Sequence, residues 1–282
     1  RDAAVAWLDL YYLKHQEAQF QDWERENALF ADVVAAQLTS GRGVAADSVA
    51  PKQEAVQLAD RRDDISRDIE RSRAALQALL GEDANEPLAG NPPEFPVAPS
   101  ELRYHLQHHP ELLAAAVDTQ KAQAELAEAR SLKKPDWGVE LDYARRGSRF
   151  GNMVSLQFTV GLPLFQSTRQ DPLVSAKHDA LKRVEAERDG MLRDHTRDLE
   201  EQIAEYTALT RQLDRAERTA LPLSDEKIRL LMASYQAGKS DLSAVLIARR
   251  ERIEERLRIG ELRRQQAVLA ARLHFAYGDD TP

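Results

Sequence analysis

The sequence predicts a mainly α protein with a small β part: long antiparallel helical hairpins with one β-hairpin set between them. Three observations lead there. Ala, Leu, Glu, Arg and Gln are abundant, charged residues make up 30% of the chain and aromatics only 6%, a mixture that suits long helices packed in narrow seams better than a thick globular core. One tract in the middle switches its apolar period from 3.6 to 2. Two helix–break–helix units recur at one fixed distance along the chain, the mark of an internal repeat.

The first helix is expected over Arg1 to Leu38, with Val5, Leu8, Tyr12, Leu29, Val33 and Ala36 at spacings of three and four. Ser40, Gly41 and Gly43 break it, and a second helix runs from about Ala46 to Leu80 with Val49, Val56, Ile65, Ile69, Leu76 and Leu79 along its seam and Gly81 as its stop. Residues 1–81 therefore read as one helical hairpin. Residues 82–109 read as a linker, because Pro87, Pro92, Pro93, Pro96 and Pro99 forbid a continuous helix, with a short helix capped by Ser100. Pro110 opens the next helix, and residues 110–135 lead into the β tract.

Within residues 136–163, Trp137, Val139, Leu141 and Tyr143 alternate with Gly138, Glu140 and Asp142. After a polar stretch, Val154, Leu156, Phe158, Val160 and Leu162 alternate with Ser155, Gln157, Thr159 and Gly161. This is a β-hairpin with one wholly apolar face, and each strand has about the 9–11 residues that a tilted strand needs to cross a bilayer. The same face could instead pack on the helices of an α+β protein. Residues 164–278 read as a second long helical hairpin, helical from Pro172, interrupted near Pro222 and turned at Gly238. Residues 279–282 form a tail.

The two helical hairpins share an offset of 197 residues, which relates Gly41 to Gly238, Gly81 to Gly278, Val49 to Leu246, Ile65 to Leu262 and Leu76 to Leu273. Each hairpin has an apolar seam that it cannot bury alone, so the two must pack side by side and against further copies.

Composition also excludes. The net charge of −8, with acidic and basic residues interleaved, leaves no basic stripe for nucleic acid. With no cysteine, disulfides and thiolate chemistry are out, and a periplasmic setting is allowed. No apolar run reaches the length of a transmembrane helix, which says nothing about a β-barrel. Phosphate-cradling glycine loops, Gly-x-Ser-x-Gly and His-Glu-x-x-His are absent, so no enzyme and no cofactor is expected. Arg1 follows neither a start Met nor a signal peptide, as in a processed or truncated chain.

The string Tyr-Gln-Ala-Gly-Lys-Ser-Asp-Leu-Ser-Ala-Val-Leu, Tyr235 to Leu246, resembles the hairpin tip of the TolC-type outer membrane factors. Gly-Leu-Pro-Leu-Phe at 161–165 and His-Pro-Glu-Leu at 109–112 point to the same family, and the tract Phe165 to Ala176 is similar to its heavy-metal-exporting, CzcC-like branch. The resemblance implies a homotrimer whose subunits together form an outer membrane β-barrel continued by a periplasmic α-barrel. It implies an exit duct of a tripartite efflux system, with a periplasmic adaptor and an inner-membrane pump as partners, in a Gram-negative bacterium. The family has two β-hairpins per subunit, so an N-terminal helix and the first hairpin are expected to be absent from this chain.

Candidate functional residues follow. The resemblance places acidic residues at the inward tips of such hairpins, and here Asp47, Asp241 and the neighbouring Arg42 are the candidates for a pore constriction, with Ala244 and Ile247 where carboxylates are often found. Alternatively Asp47 and Ser48 cap the second helix. Gly41 and Gly238 are the tip turns, the expected docking end. Leu141, Tyr143, Leu156, Phe158 and Val160 are the expected lipid-facing residues. His105, His108 and His109 are weak metal candidates beside the reading as solvated linker histidines, and His15, His178, His195 and His274 are scattered without a pattern. A non-channel structural coiled coil of the periplasm is the alternative function, and a zinc-binding periplasmic protein a third.

Overall fold

Chain direction reverses at two glycine turns, and these organise the larger of two compact units. The computed structural model describes residues 1–41, 45–145 and 151–278; Arg42, part of the strand connection and the tail 279–282 lie outside them. Helix α1 (Asp2–Thr39) is followed by a 3₁₀ turn at Ala45–Ser48 and α2 (Ala50–Leu80). Helices α3 (Pro99–His105) and α4 (Pro110–Ser131), strands β1 (Asp136–Ala144) and β2 (Met153–Gly161), and helices α5 (Gln166–Arg215), α6 (Leu221–Gln236) and α7 (Leu242–Tyr277) complete the order. One unit comprises residues 1–104 and 199–282, the other residues 105–198.

In the first unit α1 packs on α2, α6 on α7, and α1 on α7, giving two helical hairpins side by side. The repeat is visible in the backbone. At the end of α1, the Ser40 amide donates to the Ala36 carbonyl and the Gly41 amide to Leu38; at the end of α6, Ala237 donates to Ala233 and Gly238 to Tyr235. Every one of these eight residues is related by the offset of 197. Gly41 has φ +70° and Gly238 φ +71°, the left-handed conformation that glycine adopts without a Cβ clash. At Gly238 the Lys239 amide also reaches the Ser234 carbonyl, completing a Schellman motif. The other glycine pair does not match in conformation: Gly81 has φ +65°, whereas Gly278 is extended at φ −74°, so that position ends α7 without a left-handed turn.

The seam of α1 differs from expectation. Leu13, Gln16, Phe20, Trp23, Asn27, Phe30 and Val34 are buried, alternating steps of three and four, while Leu29 is 67% exposed and Val33 45%. On α2 the buried positions are Pro51, Glu54, Leu58, Ile69 and Leu76, and Val49, Val56 and Leu79 are exposed. The reason is that α1 meets two helices and carries polar residues within its seam. Asn27 donates from Nδ2 to the Pro51 carbonyl at 2.8 Å, and Gln16 Nε2 approaches the Leu257 carbonyl at 3.5 Å, so buried amides hold the heptad register where aliphatics would be sought. Gly260 on α7 faces Gln16, and a Cβ there would force that side chain to shift.

The 3₁₀ turn at Ala45–Ser48 replaces the expected helical start at Ala46. Ser48 Oγ donates to the Ala45 carbonyl at 2.8 Å, and Val49, without a side-chain cap, precedes α2. Before α6, residues Ala216–Ala220 form a π turn. Pro222 follows after Leu221; it lacks an amide and its ring crowds the carbonyl four residues back, and a widened turn relieves both. The proline-rich segment is anchored, since Phe95 packs near Leu8, Val268 and Ala271 with ring contacts to His274 and Phe275 at 5.1 and 5.5 Å.

In the second unit, α4 ends at Ser131, short of the end of the 110–135 segment, and α5 begins at Gln166, so Pro172 lies inside it rather than opening it. Its start is held by Gln166 Nε2 donating to the Lys133 carbonyl at 3.1 Å and by the Lys133–Asp171 ion pair at 2.7 Å. Phe165, at φ +59°, makes the sharp change of direction from the strand exit into α5.

Candidate functional site

The β-hairpin derives its character from register. Trp137 pairs with Val160, Val139 with Phe158, Leu141 with Leu156 and Tyr143 with Val154, while Gly138 pairs with Thr159, Glu140 with Gln157 and Asp142 with Ser155. Pairing is in phase, so all eight apolar side chains share one face and the polar ones the other. That apolar face is bare: Trp137 is 75% exposed, Phe158 70% and Leu156 56%. Such a strip far exceeds the scattered apolar residues of an ordinary soluble surface. Trp137 and Tyr143 stand at its two ends, about 20 Å apart at roughly 3.3 Å per residue. Both strands have nine residues, and among the described residues the sheet consists of these two. Among the described residues no helix is long and apolar enough to cross a membrane.

At the tips, Asp47 sits half-buried in the 3₁₀ turn and Asp241 is exposed at the N-cap of α7, where its carbonyl accepts from the Ala244 amide. Burial, and then the Asp47 charge, push the Tyr235 phenol above its ordinary pKa. Under both turns Phe30, Val34, Leu242 and Val245 are buried together. Arg42 lies outside the described residues.

Just behind the tips is a buried polar group that sequence reasoning missed. Arg249 is buried, lies over the Phe30 ring at 4.2 Å and approaches Glu26 at 3.5 Å, with Arg252 at 2.6 Å from the same carboxylate. Glu54 is buried nearby, and burial raises its carboxyl above the usual range against the opposing pull of Arg249. The only sequence signal was charge at heptad-spaced positions, which normally marks a solvated face.

The histidines divide differently from expectation. His105 is half-buried and His108 exposed, with ring centres 6.4 Å apart. His109 instead meets His195 on α5, with ring centres 4.3 Å apart, and His195 Nε2 lies 2.9 Å from Glu111 Oε2. One ligand atom from each of His109, Glu111 and His195 falls within 4.8 Å of the others. Burial, and then the neighbouring His195, lower the His109 pKa. His195 stands 86 residues beyond His109, so no spacing rule could have joined them.

A family match to the outer membrane efflux proteins covers residues 102–279, more than half of the chain. The chain belongs to the outer membrane efflux protein family. Among solved structures, CusC, described for its transmembrane channel formation, superposes with a TM-score of 0.80 at 17% identity, over 98% of this chain and 67% of that one. A membrane protein from Pseudomonas aeruginosa gives 0.76 at 18% identity over 98% and 66%, and the outer membrane protein VceC of Vibrio cholerae 0.75 at 17% over 98% and 68%. These identities establish a shared fold, and the chain spans about two thirds of the length of those proteins. No curated protein sequence matches the chain.

Proposed function

We propose that this efflux-family chain supplies part of the wall of an outer membrane exit duct, a passive water-filled conduit for export. The bare apolar face of the β-hairpin carries this reading. Two strands have unpaired outer edges, and hydrocarbon cannot satisfy those backbone groups, so the hairpin must join others in a closed barrel. Leu141, Tyr143, Leu156, Phe158 and Val160 then face lipid, and Trp137 and Tyr143 sit where aromatic girdles belong. The helical hairpins continue the conduit in the periplasm, where the tip turns at Gly41 and Gly238 engage an adaptor and an inner-membrane pump. A structural coiled coil has no use for such a hairpin.

The assembly proposed is a homotrimer. Exposed aliphatics Leu29 and Val33 on α1, and Leu223 and Leu230 on α6, support lateral burial against further copies. Light scattering of the full-length protein in detergent is expected to give three chains per particle, and a stable dimer would overturn the duct reading.

Asp47 and Asp241 form the proposed cation-favouring rim, as charged rings do in selective pores. Replacing both with Ala should shift the reversal potential toward lower cation preference in planar bilayers under a salt gradient. An unchanged reversal potential would remove both residues from the conduction path.

A further inference from the structure

We infer that His109, Glu111 and His195 form a binding site for a borderline divalent cation of the zinc type. The inference stands on how three side chains, distant in sequence, are delivered to one point. Pro110 occupies the first turn of α4 and fixes His109 at the N-cap with φ −58° and ψ 132°. This extended residue swings its imidazole alongside Glu111 of the first helical turn. Helix α5 brings His195 from the other side, placing its Nε2 2.9 Å from the carboxylate and its ring 4.3 Å from that of His109.

The donor set selects the metal. Two imidazoles and one carboxylate are the ligands of three-coordinate protein sites that leave a fourth position for water, and zinc is the usual occupant. Magnesium and calcium prefer all-oxygen shells, so they are excluded by the same ligands. Tetrahedral zinc holds neighbouring ligand atoms roughly 3.4 Å apart, given bonds of about 2.0–2.2 Å. The three atoms lie within 4.8 Å of one another, so tetrahedral ligation asks for small rotations of the two imidazoles and of the Glu111 side chain, which is 66% exposed. The exposed carboxylate also provides the entry path, while His195 is only 17% exposed and the His109 Nδ1 is shut off from solvent.

One effect opposes binding. The amino end of α4 carries partial positive charge beside His109, which weakens cation binding by no more than about five-fold at a partly exposed site. Two imidazole ligands outweigh a factor of that size. The competing arrangement is a plain His195–Glu111 hydrogen bond that ties α4 to α5 without metal, and the variants are chosen to separate the two.

Zinc chloride is titrated into the detergent-purified full-length protein at pH 7.5 against a chromophoric zinc chelator. One zinc per chain is expected. His109→Ala and His195→Gln should each weaken it at least about ten-fold, whereas His105→Ala and His108→Ala should leave it unchanged. Gln at 195 can keep the hydrogen bond to Glu111 while removing the imidazole, so a lost site with native far-ultraviolet dichroism reports ligation and not folding. Zinc binding that survives both substitutions, or that disappears with His105→Ala or His108→Ala, would overturn the assignment, as would no stoichiometric binding at all. The readout is bound metal and makes no reference to transport, so it succeeds or fails separately from the exit-duct reading.

Discussion

Arginine at Leu156 will destabilise the membrane-inserted protein by about 2–4 kcal/mol if the side chain lies near the bilayer midplane, and arginine at Gln157 will cost about 1 kcal/mol or less. The two residues are adjacent, and the contrast rests on register alone. Leu156 pairs with Leu141 on the apolar face, and Gln157 with Glu140 on the polar one. A guanidinium at 156 must desolvate or thin the bilayer. At 157 it meets water and an opposing carboxylate across the strand pair, which contributes a few tenths of a kcal/mol in its favour. Urea unfolding from lipid vesicles measures both. Equal tolerance at the two positions would mean the apolar strip does not face lipid, and the hairpin would have to be reassigned to a packed interior.

The β-hairpin was legible in the sequence because nothing competes for its alternation. Both strands are exposed along almost their whole length among the described residues, so period 2 stands undisturbed from Trp137 to Tyr143 and from Val154 to Val160. The repeat was legible for a similar reason: the turns at Gly41 and Gly238 demand the same backbone conformation, and only glycine supplies it cheaply. The helical seam was harder. Leu29 and Val33 look like core, yet the buried positions are their neighbours Phe30 and Val34, because Gln16 and Asn27 occupy two seam positions and hide the heptad from an apolar count. Their amides meet carbonyls of α7 and α2, partners that only the folded chain provides. The histidine cluster lay beyond reach altogether. His109 was visible beside His105 and His108, but its partner His195 is placed by the register of α5 against α4, to which no local pattern refers.

Truncating Trp23 to Ala should have the largest effect on the helical unit, about 3–5 kcal/mol of unfolding free energy. Trp23 is 2% exposed and Phe20 fully buried, and their rings meet edge to face with centres 4.7 Å apart. Leu58 of α2 and Ile253 of α7 close the same cluster, with half-buried Ile65 and Leu257 against it. This wedge therefore joins the two hairpins of the repeat, not merely the two helices of one. An indole removed here leaves a void walled by three long helices that cannot collapse without sliding past one another, which puts the cost at the upper end. The surface offers a direct comparison. Glu24, the next residue, pairs with Arg62 at 3.0 Å, but both partners remain partly exposed, and such pairs contribute less than about 1 kcal/mol. Guanidinium unfolding of Trp23→Ala and Glu24→Ala in detergent should separate the two by several-fold, and Trp23→Phe, which restores most of the ring volume, should lose only about 1–2 kcal/mol. If Trp23→Ala cost no more than Glu24→Ala, surface ion pairs rather than the aromatic wedge would hold the hairpins together. The seam would then have to be sought on another face of α1.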